Sequence, residues 1–187
     1  NAPRAFTTQQ RVVTLADYGN LAMSLPVVSQ ANAIANTYTN VTVYVTGSGN
    51  TTPNQAVLDT VTSFLQPLSL AGTVVTCTAA HMIPINVGAT ATPVLIGCSS
   101  RYSPTSINLL ATQAIQNLFA PSNVTLAGRV SLSSVFSALY NIPGVQYVNI
   151  PLFVRSDATQ SGAADILMRS YELPVVGNIV ITVTASA

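Results

Sequence analysis

The stretch Thr14–Ala31, TLADYGNLAMSLPVVSQA, returns as Ser131–Val148, SLSSVFSALYNIPGVQYV, and the two align end to end without a gap. A chain that repeats one phrase is committed to building one substructure twice. In the first copy Thr14 precedes a helical apolar pattern at Leu15, Tyr18, Leu21, Ala22 and Leu25, with Asp17 three residues after the threonine. A threonine N-cap with an acid at the third helical position is a short-armed capping box, in which each side chain bonds the other residue's backbone N–H. Pro26 then stops the helix, because proline restricts the residue before it and has no N–H to donate. In the second copy Ser131 takes the cap. Leu132, Val135, Leu139 and Ile142 take the places of Leu15, Tyr18, Ala22 and Leu25, and Pro143 that of Pro26. Strands are expected after the two prolines, at about Val27–Ala35 and Val145–Phe153.

The segment NVTVYVTG sets Val41, Val43 and Val45 on one face and Thr42, Tyr44 and Thr46 on the other, the period of a half-buried strand. NIVITVT at Asn178–Thr184 echoes it, later than the first spacing predicts, so the second copy carries an insertion over 155–177. Between the copies, Thr52 and Pro53 read as the N-cap and first residue of a helix with Val57, Val61, Phe64, Leu65 and Leu68 on one face. Gly72 leads into a strand near Val74–Thr78, and an extended region from His81 to Gly97 follows. Ser103 and Pro104 open another helix, with a stripe at Ile107, Leu110, Ala111, Ala114, Ile115, Leu118 and Phe119. The reading is an α+β fold: two small α/β sandwich subdomains on a duplicated helix–strand–strand module. The subdomains are expected at 1–79 and 80–187, the second holding the insertion.

Only 6% of the residues are charged, against roughly 25% in an ordinary globular domain. A lone soluble protein keeps charge at its surface, so this composition points to a chain whose surface is covered by partners, or to one wetted by Ser, Thr, Asn and Gln. Net charge is +1 with no basic run, and nucleic-acid binding lacks its electrostatic footprint. No apolar run approaches the ~20 residues of a membrane span. Cys77 and Cys98 form no metal or redox motif. They could pair, but small buried thiols are the commoner role of such residues.

Chemistry finds little to stand on. The single histidine, His81, has apolar neighbours, and a nucleophile–base–acid site needs partners the sequence does not point to. Asp17 is explained by capping and Asp59 by an open helix face. No metal-ligand spacing occurs. GSGN at Gly47–Asn50 lacks the third glycine of a dinucleotide loop and reads as a strand-to-helix turn. The reading therefore assigns no catalytic, metal or cofactor-binding residue. The insertion is the exception in composition. It carries five of the eleven charged residues together with Ile166, Leu167, Met168 and Tyr171. A long connection of this kind is functional or disordered, and this one is too apolar for disorder. Arg155, Ile166, Leu167, Met168, Arg169 and Tyr171 are the candidate subunit-interface residues, set against packing of the arm on its own module.

One resemblance gathers these features. Ala2-Pro3, Thr7, Arg11, Val13-Thr14, Asp17-Tyr18, Leu21-Ala22, Pro26, Val28 and Ala31 follow in order and spacing a segment typical of baseplate J-like proteins of contractile phage tails. IPGVQYVNI and YELPVVGNIVIT near the other end are also similar to that family. The resemblance implies the C-terminal part of a baseplate wedge subunit, a structural and non-enzymatic protein of the virion tail baseplate, assembled in the host cytoplasm. The family's upstream glycine-rich acidic segment is missing, which fits a fragment. The implied partners are other wedge and hub subunits and copies of the chain itself; no cofactor comes with the family. Two other classes stay open: a secreted adhesin or binding module, marked by a Cys77–Cys98 disulfide, and a small hydrolase using His81.

Overall fold

The computed structural model describes residues 12–157 and 162–186. Ala2, Pro3, Thr7 and Arg11, which carry part of the resemblance, lie outside the described residues. Along the chain run α1 (Leu15–Ala22), β1 (Val28–Ala35), β2 (Asn40–Gly47), α2 (Gln55–Leu65), β3 (Val74–Ala79), β4 (His81–Val87), β5 (Val94–Ser99), α3 (Pro104–Leu118), β6 (Arg129–Val130), α4 (Leu132–Tyr140), β7 (Val145–Asn149), β8 (Phe153–Arg155), β9 (Ile166–Leu167), β10 (Glu172–Ile179) and β11 (Ile181–Ser186). The fold is mixed α+β. It divides into two compact units, one reaching His81 and including Arg169–Glu172, the other made of Met82–Met168 and the chain from Leu173 onward.

In the first unit the capping box forms as its residues dictate. Thr14 Oγ1 accepts from the Asp17 N–H, and Asp17 Oδ2 accepts from the Thr14 N–H at 2.8 Å. Tyr18, Leu21 and Ala22 turn inward. Gly19 is what lets α1 press on the sheet: a Cβ there would stand 3.0 Å from the Ala31 carbonyl oxygen. β1 and β2 pair antiparallel, with Ala31, Ala33 and Ala35 opposite Val45, Val43 and Val41, and β2 pairs parallel with β3. The valine face of β2 packs with Leu58, Val61 and Leu65 of α2 and with Val75 and Cys77 of β3. Val43, Val45, Val61 and Leu65 lose essentially all contact with water, each a gain of about 1.5–3 kcal/mol. α2 starts later than Thr52 and Pro53 predict. Asn54 is its N-cap, accepting from the Val57 N–H at 3.0 Å; Asn is as strong a cap as any residue.

The second unit contains a sheet in the order β11-β5-β7, a sheet in the order β10-β4-β8, and the ribbon β6-β9. Ile107, Ala111 and Ile115 of α3 and Val135 and Leu139 of α4 join Val94, Ile96, Cys98 and Val148 in one core. The α3 stripe is narrower than the sequence suggests, with Leu110 exposed. Ser103 stands at the N-cap position of α3 with Pro104 first inside it, as expected, but its side chain makes no cap hydrogen bond.

The two three-stranded α/β sheets contain the same parts in a different chain order. In the first, central β2 has β1 antiparallel on one side and β3 parallel on the other, with α2 in the crossover. In the second, central β5 has β7 antiparallel and β11 parallel, with α3 in the crossover. The repeated phrase accordingly yields the same helix and first strand twice, α1-β1 and α4-β7. The echo between NVTVYVT and NIVITVT does not extend to strand position. β2 is central and pairs with β1, whereas β11 is an edge strand separated from β7 by β5. A period-2 pattern encodes which face is buried, not which strand lies alongside.

Candidate functional site

The six candidate interface residues divide by burial. Arg155, at the end of β8, is 3% exposed; its guanidinium bonds the Asp157 carboxylate and the Leu167 carbonyl. Ile166 and Met168 are buried in the second unit's core, while Leu167 between them is 61% exposed. This is strand alternation in miniature. β9 pairs with β6 through Val130↔Ile166 and Arg129↔Leu167, and the Met168 N–H donates to the Gly128 carbonyl. Three of the six are thus held inside their own chain.

Arg169 and Tyr171 belong to the first unit. The Tyr171 ring lies 5.3 Å from that of Tyr44 and 5.1 Å, edge-on, from that of His81. The Asn32 side-chain amide donates to the Ser170 carbonyl at 2.7 Å, and the His81 N–H to the Tyr171 carbonyl at 2.9 Å. Arg169 Nη1 donates to the Tyr171 hydroxyl, and most of the Arg169 side chain faces outward. Leu167, Arg169 and part of Tyr171 are therefore the members a neighbour can reach.

His81 is exposed and flanked among the described residues by the two phenol rings of Tyr44 and Tyr171. The described residues contain no group of three His, Cys, Asp or Glu side chains placed to hold a metal ion. The GSGN loop is a tight turn: Gly49 and Asn50 take φ of 68° and 60°, and Asn50 Oδ1 accepts from Gln30 Nε2. Cys77 and Cys98 are both free and buried, and burial pushes the Cys77 thiol above its ordinary pKa. No helix of the described residues is long and apolar enough to cross a membrane.

Sequence reasoning missed two apolar surfaces. In the first unit Val13, Leu15, Tyr18, Tyr38, Val41 and Leu70 line an open groove of about 690 Å³, and Tyr38, at the β1–β2 turn, is fully exposed. An aromatic in a turn between two strands was the available signal. In the second unit Phe136 and Tyr140 stack on the outside of α4, 5.8 Å apart and 11° from parallel. Aligning the two phrases exposes that difference, since Gly19 and Met23, the residue that follows α1, hold those places in the first copy.

No protein-family model matches the sequence, and no curated protein matches it. The fold does have a counterpart in a solved structure, the six-fold-symmetrised cryo-EM structure of the anti-feeding prophage (AFP) baseplate. One chain of that baseplate superposes with a TM-score of 0.69 over 95% of the present chain. The fold resembles that of this AFP baseplate chain. Sequence identity is 14%, and the present chain spans 40% of the length of the AFP chain. The likeness to the AFP chain is one of fold, and it takes in both units.

Proposed function

We propose that the protein is part of a baseplate J-like wedge subunit of a contractile phage tail or related injection particle, with a structural, non-catalytic role in joining neighbouring subunits. The observation that carries this reading is the fold likeness to the AFP baseplate chain over 95% of the sequence. The 6% charge content supports it, because a surface destined for permanent contact needs little charge to stay soluble. Its partners on this reading are other wedge and hub subunits and copies of itself. Leu167 in the second unit, and Arg169 and Tyr171 in the first, are each offered for such contact; arginine and tyrosine are among the residues enriched at protein interfaces. The adhesin alternative called for a Cys77–Cys98 disulfide, and both cysteines are free.

The test is to purify contractile particles from the organism that carries the gene, identify the chain by mass spectrometry and label it with immunogold. Label at the sheath end distal to the capsid or cap supports the reading. Particles that contain sheath and tube but lack the chain refute it.

A further inference from the structure

Helix α4 begins without the device that starts α1. Its N-cap, Ser131, makes no side-chain cap hydrogen bond, and its third residue is Ser134 where α1 has Asp17. The first four N–H groups of a helix have no partner inside it and need one from outside. Here the partner comes from another segment. Asp165 Oδ1 accepts the Leu132 N–H at 2.8 Å and the Ser131 hydroxyl at 3.3 Å, and Oδ2 engages the Arg129 guanidinium.

The carboxylate arrives on a strap that is itself seated in the core. Ala163 bridges to Phe153, Ile166 and Met168 are buried, and β9 lies along β6 immediately before the helix. Strap and helix end are therefore bound by two different interactions, apolar burial at Ile166 and Met168 and a charge-assisted cap at Asp165. A negative charge at a helix N-terminus also meets the favourable end of the helix dipole.

We propose that residues 163–168 act as a latch on α4: Asp165 does from the strap what the capping box does within α1, so that the first turn of α4 is secured only while the strap is seated. Lifting the strap uncaps the helix, and fraying the helix loosens the strap. A neighbour that grips Leu167 on the strap's outer side is in this way felt at α4.

The experiment is amide hydrogen exchange on the full chain, read at Leu132–Val135. Asp165→Ala, which removes the acceptor, is expected to speed exchange there roughly tenfold while the amides of α3 and β5 keep their protection. Adding Ser134→Asp to that variant recreates a local capping box beside Ser131 and is expected to restore protection. Arg129→Gln, which removes the ion pair and leaves the Leu132 bond intact, is expected to leave these amides protected. The latch is overturned by unchanged exchange in Asp165→Ala, by an equal loss of protection throughout the second unit, or by failure of Ser134→Asp to restore the first turn.

Discussion

Arg155 holds Asp157 through two parallel hydrogen bonds, Nε to Oδ1 at 3.0 Å and Nη2 to Oδ2 at 2.8 Å, and only the aspartate of the pair reaches water. Asp157→Asn weakens this charge-assisted pair but leaves the guanidinium its bond to the Leu167 carbonyl, and should cost about 1–2 kcal/mol. Arg155→Met removes every bond of a buried guanidinium at once and should cost more than Asp157→Asn. Urea unfolding of the two variants checks the order, and the reverse order contradicts it.

Adjacent residues on the strap should respond in opposite ways. Ile166→Ala removes a fully buried side chain and is expected to cost about 2–5 kcal/mol. Leu167→Ala, on the exposed side, should stay within about 0.5 kcal/mol. Equal costs by chemical denaturation would place both residues in the same environment and contradict the β6–β9 register. Deleting residues 158–174 takes out Ile166, Met168 and Leu173 together, three core side chains, and should leave a second unit that does not fold cooperatively.

Acid should weaken the fold through two carboxylates. The Thr14 N–H holds the Asp17 carboxyl below its ordinary pKa, helped by the Val13 N–H and the Thr14 hydroxyl. The Leu132 N–H does the same for Asp165, with Arg129 and Ser131 adding to it. Each group binds its proton more weakly folded than unfolded. The stability it confers is then complete above the unfolded value of about 4 and is lost as pH falls through the depressed folded value. Thermal unfolding between pH 7 and pH 2.5 should show a decline confined to the acid end, shallower in Asp17→Asn and Asp165→Asn than in the parent chain. Parallel curves for all three would show that these carboxylates do not couple to folding.

Gly19→Ala sets two effects against each other. Alanine gains about 1 kcal/mol of helix propensity over glycine. The added Cβ meets the Ala31 carbonyl at 3.0 Å, a backbone atom that cannot rotate away, and overpacking of this kind costs about 1–3 kcal/mol. A net loss of up to about 2 kcal/mol is expected. At the matching place in α4, Phe136→Ala should cost about 0.5–1.5 kcal/mol, the worth of its stacking on Tyr140. A stabilised Gly19→Ala variant in denaturant melts would show that α1 has room the structure does not give it.

What could be read from the sequence was what its residues settle locally. α1 was legible from end to end because Thr14 and Asp17 cap each other within one turn and Pro26 closes the pattern. α4 was legible as a helix, but its cap was not, since Asp165 lies 33 residues beyond Leu132 and no local spacing records that bond. β2 was found from alternation, whereas β6, β9 and β10 were not foreseen as strands. Strand order was not legible, because Val183 and Val43 obey the same period while one sits at a sheet edge and the other at its centre. The apolar character of Ile166–Met168 was plain in the sequence. Which of the three faces inward depended on the two-residue pairing of β9 with β6, too short for a pattern to show.

The permuted strand order also sets a timetable. The first sheet uses partners drawn from residues 28–79, so all of its strands are available once β3 has left the ribosome. In the second sheet β5 must wait for β11, with Val94 paired to Ile181. Closing so long a loop costs entropy before any contact repays it, and pairings distant in sequence slow folding. During synthesis the uncharged edge of β5 therefore stands open while everything from α3 to β10 is being made. Exposed strand edges of that kind are where nascent chains misassociate, and in this protein the vulnerable interval ends only when Ile181–Ser186 emerges.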